Sequence, residues 1–60
     1  MKEITIKLFD LDNDAFIGCQ EAEIADILNA LAKNITLGYR PEKLKDINGN
    51  TVGIVEYQEG

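Results

Sequence analysis

Apolar and polar residues alternate through the first segment. Ile4, Ile6 and Leu8 interleave with Thr5 and Lys7, a period of two that predicts a β-strand, and the β-branched content of the run agrees. Leu11-Asp12-Asn13-Asp14 then reads as a turn, because Asp and Asn tolerate tight backbone conformations and hydrogen-bond their own amides. With Asp12-Asn13 as the loop, residues 15–19 return as a second strand. Leu8 then faces Ile17 and Ile6 faces Cys19 on one side, and Phe9 faces Phe16 on the other. The period changes after that. Ile24, Ile27, Leu28, Leu31 and Ile35 recur at helical spacing and predict an amphipathic helix over 21–34, flanked by Ala25 and Ala32 and backed by Glu23, Asp26, Asn29 and Lys33. Acids in its first turn and Lys33 in its last complement the helix dipole. Gly38 and Pro41 fall in the connection beyond. A second hairpin over 44–57 is signalled by Asn48-Gly49-Asn50, residues that accept positive φ, followed by the strand formers Thr51, Val52, Ile54, Val55 and Tyr57.

These elements predict one α+β domain over residues 1–60, a single helix on a small, mostly antiparallel sheet, in the order ββαββ. Ile24, Ile27, Leu28 and Leu31 are expected to pack onto Ile4, Ile6, Leu8 and Ile17. The strand–strand–helix–strand–strand order resembles the architecture of the immunoglobulin-binding domain of protein G. That resemblance lies in element order and length without a shared motif, so it implies a fold and transfers no binding residues. The competing order, βαββ, merges residues 14–34 into one long helix. Gly18, with Gln20 and Glu21 on or beside the apolar stripe, counts against it.

Sixty residues permit one marginal core, a situation that small domains relieve with disulfides, metals or oligomerisation. Cys19 is the single cysteine and there is no histidine, which excludes an internal disulfide and argues against a zinc site, leaving a carboxylate-bound metal as the remaining metal option. The lone thiol is expected in the core and suits a reducing cytoplasm. No apolar run approaches the length of a membrane span.

Six basic residues stand against eleven acidic ones, for a net charge of −5, which disfavours direct contact with nucleic acid or an anionic membrane. The acids concentrate between Lys7 and Lys33, where Asp10, Asp12, Asp14, Glu21, Glu23 and Asp26 occur without a base. Asp10, Asp12, Asp14, Glu23 and Asp26 are the candidate acidic face for a basic partner.

The spacing of Asp10, Asp12, Asp14 and Glu21 resembles a calcium-binding EF-hand loop, an oxygen-rich pattern with a helix after it. Ala15 replaces the glycine that such a loop requires, and the segment before it is strand-like. A second echo, Asp46-x-Asn48-Gly49-Asn50 with Glu56, is one residue short and has no following helix. Hairpin turns account for both stretches without a metal. Phosphate-binding glycine loops and a neutral-pH base are missing, so no enzymatic activity and no cofactor are expected.

The expected function is a cytoplasmic, non-catalytic protein-interaction module that self-associates. Phe9, Leu11 and Phe16 form its expected apolar contact, and Tyr39 with Arg40 a further candidate interface. A narrower form is an acidic inhibitor of a basic nucleic-acid-binding groove, a type found among small phage and mobile-element proteins. The alternative class is a calcium-binding module.

Overall fold

The computed structural model describes all sixty residues, Met1–Gly60. Strand β1 (Glu3–Leu8) leads through a single 3₁₀ turn at Asp14–Phe16 into helix α1 (Gln20–Thr36). Strands β2 (Lys43–Lys45) and β3 (Thr51–Gln58) then form the expected hairpin. The architecture is α+β. Its strand order in space is β1-β3-β2, with β3 antiparallel to both neighbours. The helix therefore connects two strands that run the same way on either side of β3. No helix is long and apolar enough to cross a membrane.

The second strand expected at 15–19 is absent, and with it the ββαββ order and the likeness to protein G. Asn13 is the local cause. Its side chain accepts the Ala15 amide at 2.8 Å while its carbonyl accepts that of Phe16 at 2.9 Å, which tightens the chain into a 3₁₀ turn. Gly18, at φ +77, then reorients the backbone before α1 begins. The order is thus βαββ-like, with that glycine separating the 3₁₀ turn from a helix that starts at Gln20 rather than Asp14. At its other end α1 runs two residues past the expected Asn34. It closes with Gly38 at φ +90, whose amide bonds Ile35 O while that of Tyr39 bonds Asn34 O, the paired bonds of a glycine-terminated helix.

Ala15, Phe16, Ile27, Leu31, Leu44, Val52 and Val55 form the core, with Leu8, Leu11, Ile24 and Tyr57 packed against it. Val52 and Val55 would face opposite ways in a regular strand. However, Leu44 pairs with Gly53 and Lys45 with Thr51, so Val52 is an extra residue opposite the β2 step. That bulge lets both valines join one core. Gly53 is needed beside it, since a Cβ there would lie 2.8 Å from Lys7 O and 2.8 Å from a Leu8 methyl.

The expected partnership of helix and first hairpin is only partly realised. Ile27 and Leu31 are buried, Ile24 and Leu8 are half-buried, and Ile4, Ile6, Ile17 and Leu28 are exposed. The radius of gyration is 12.1 Å, against about 10.4 Å for a compact domain of this length.

Leu31→Ala should therefore destabilise the fold by about 2–5 kcal/mol, and Leu28→Ala by clearly less. Gly53→Ala should also destabilise, because backbone cannot yield as a side-chain end can. Urea denaturation of the three variants checks the ranking; equal losses at Leu28 and Leu31 would contradict this core.

Candidate functional site

The acidic residues whose spacing resembles a cation loop are not brought together. Asp10 sits in a left-handed conformation (φ +54) after β1. Asp14 opens the 3₁₀ turn and Glu21 lies exposed in the first turn of α1. No three acidic or thiol side chains are placed to share a metal ion. Asp12 is exposed, and Glu23 and Asp26 line a shallow groove that also holds Lys45 and Ile47.

The apolar contact surface expected at Phe9, Leu11 and Phe16 does not form either. Phe16 is 3% exposed within the core and Leu11 packs against that core, which leaves only Phe9 partly open. The 3₁₀ turn causes this, because it rotates Phe16 inward instead of setting it across from Phe9. Cys19, expected in the core, is exposed just ahead of α1. Tyr39 is exposed. Its neighbour Arg40 pairs with Glu59 and places its guanidinium 5.9 Å from the centre of the Tyr57 ring. The Tyr57 hydroxyl donates to Pro41 O at 2.7 Å.

The one buried carboxylate is Asp46, in the β2–β3 turn. Its Oδ1 accepts the Asn48 and Asn50 amides, each at 2.9 Å. Its Oδ2 accepts Asn13 Nδ2 at 3.0 Å and Asn50 Nδ2 at 3.2 Å. Desolvation pushes its pKa up, but the bonds from Asn50, Asn13 and Asn48 together outweigh that and hold it below the ordinary 3.8 of an aspartate. Four donors satisfy this carboxylate, so its role is to join two connections. In the sequence Asn13 and Asp46 belong to separate turns, and nothing local links them.

The open surface lies on the core-bearing face, at the β1 edge of the sheet. Ile4 and Ile6 stand opposite Tyr57 and Val55, so they share the face that carries the core. Ile4 is nevertheless 39% exposed and Ile6 44%, and Leu28 and Ile35 on the helix are 38% and 37% exposed. The helix backbone comes closest to β2, and Ile27, Ala30, Leu31 and Asn34 lie beside Pro41, Leu44 and Lys45. Leu28 and Ile35 occupy the flank of the stripe turned away from β2.

The backbone beside these isoleucines is also unpaired. Phe9 N bonds Val52 O and Val55 N bonds Glu42 O. Antiparallel strands alternate such pairs, so Glu3, Thr5 and Lys7 bond toward β3 while Ile4, Ile6 and Leu8 direct their N–H and C=O groups outward. The other sheet edge, β2, has three residues with a lysine at each end, which discourages strand addition. β1 offers six residues. The period-two pattern of 4–8 located this strand, but only the spatial order β1-β3-β2 reveals that it is an edge.

No protein-family profile matches the chain, and comparison with curated proteins and with solved structures gives no significant match.

Because the native pKa of Asp46 lies below its unfolded value, its stabilising effect is fully present above about pH 5 and is lost as pH falls through the native value. Asp46→Asn should lower the urea midpoint near neutrality, and the gap from the parent should narrow as pH falls below the ordinary aspartate value of 3.8. A gap that widens on acidification would contradict the hydrogen-bonded carboxylate.

Proposed function

We propose that this chain is a non-catalytic protein-interaction module that binds through the open side of its sheet. The observation that carries the reading is the coincidence of two unmet requirements at β1. Its outward N–H and C=O groups lack partners, and Ile4 and Ile6 on the same strand are incompletely covered. An added strand meets both at once: main-chain hydrogen bonds supply affinity and alternate side chains supply specificity. Completing the burial of each isoleucine contributes about 1 kcal/mol, and the helix flank at Leu28 and Ile35 extends the apolar surface.

A second reading, contact with a basic partner, is supported by a different feature. Asp10, Asp12, Asp14 and Asp26 are exposed and form no ion pair, since the salt bridges of the chain both involve Glu59. Such contact would weaken steeply with salt, whereas the apolar strand edge would not.

Ile6→Lys should leave the helix and sheet intact by circular dichroism and remove association through this face. The double variant Ile4→Thr/Ile6→Thr, which keeps β-branched residues in the strand, should do the same. Each is immobilised beside the parent chain, and the proteins retained, free copies of the chain included, are compared. Retention unchanged in both folded variants would sink the reading.

A further inference from the structure

Resting on that reading of the open face, we infer that the partner of β1 is β1 of a second copy, paired antiparallel about a two-fold axis through Thr5. The sequence of the edge is self-complementary in one register. Glu3 of each copy stands opposite Lys7 of the other, Ile4 opposite Ile6, and Thr5 opposite Thr5.

Three features favour this pairing, and charge fixes its register. The first is backbone parity. Ile4 and Ile6 carry outward-directed N–H and C=O groups, as deduced from the bonds at Phe9 and Val55. Pairing Ile4 with Ile6 therefore sets donors against acceptors, with Thr5 on the axis at the non-hydrogen-bonded position, where the two chains' side chains lie closer.

The second is charge. Glu3 and Lys7 are exposed and neither has an ion-pair partner within the chain. The two-fold gives each an opposite charge directly across, a stabilising cross-strand pair, and adds a Thr–Thr pair between them. Sliding the strands by two residues sets Glu3 against Thr5 or Phe9 and loses both ion pairs.

The third is coverage. An axis perpendicular to the sheet keeps both helices on one face. The exposed Ile4 and Ile6 of the two copies become adjacent in the middle of a six-stranded sheet. The helix flanks bearing Leu28 and Ile35 face each other across them. Glu3, Thr5 and Lys7, which alternate with these isoleucines, keep the other face of the seam polar.

The test reverses charges. Glu3→Lys makes the chain less acidic and Lys7→Glu makes it more acidic. Self-pairing in this register predicts that both weaken the dimer, by about tenfold, because each creates two like-charge contacts. The double variant Glu3→Lys/Lys7→Glu should restore parent affinity, and mixing the two single variants should yield a heterodimer. Sedimentation equilibrium at roughly 0.15 M salt reads the masses. A covalent probe does not depend on affinity. Thr5→Cys in a Cys19→Ser background should cross-link when glutathione disulfide oxidises the two thiols, since the axial position brings Cα atoms within about 4.5–5.5 Å. Lys7→Cys in the same background should not.

A monomer mass throughout, without cross-linking at Thr5, overturns the pairing. So does opposite movement of the two single charge variants, which would report net charge alone. If Ile6→Lys abolishes retention of other proteins while the charge variants change nothing, the open face is the binding surface and the second copy is not its occupant.

Discussion

One helix cannot cover three strands. An α-helix with side chains is about 10–12 Å across and strands lie about 4.8 Å apart, so a single helix shields about two of them. A sixty-residue chain with one helix and a three-stranded sheet must leave a strand's worth of core face open somewhere. Where that opening falls decides which surface the molecule presents.

Asp46 fixes the choice. β1 ends beside Gly53 and Leu44, and the connection to the helix must cross the end of the sheet from there. Asn13 in that connection donates to the Asp46 carboxylate, which stands just beyond β2 and is held by Asn48 and Asn50 in its own turn. The connection is thereby anchored at the far edge. Ala15 and Phe16 drop into the core beside the anchor, α1 starts there, and it runs back along β2. β3, in the middle, is covered. β1, where the chain began, is not. Polar groups at a sheet corner thus set the position of an apolar surface on the opposite edge.

The helix, the strand at Ile4–Leu8 and the Asn48-Gly49-Asn50 hairpin were legible because each is a local pattern: periodicity in two cases and positive-φ residues in the third. The segment 15–19 was not legible, because Phe16, Ile17 and Cys19 fit a period of two as well as they fit a turn. Asn13 makes the deciding turn contacts with the Ala15 and Phe16 amides, and its side chain is held in place by a partner thirty-three residues away. The same misreading displaced the expected contact surface. Phe9 and Phe16 look alike in sequence, yet the turn buries one and leaves the other part-exposed. Within the acidic stretch, Asn13 turns inward to the Asp46 carboxylate while Asp12 and Asp14 face water, a distinction that the alternating spacing does not carry.

Self-pairing along β1 would not change the ratio of helices to strands, since two copies bring two helices to six strands. What changes is adjacency. Alone, each chain exposes a strip bounded by water on one side. Paired, the two strips share a border and each is hidden by the isoleucines and helix flank of the other. Charge makes this arrangement selective as well as favourable. A bare apolar edge would accept any extended segment, which is the usual hazard of an open strand. With Glu3 and Lys7 set symmetrically about Thr5, a shifted register or a strand without complementary charges would leave them unmatched, whereas an antiparallel copy in this alignment would satisfy both. A chain too small to enclose its own core can in this way specify what completes it.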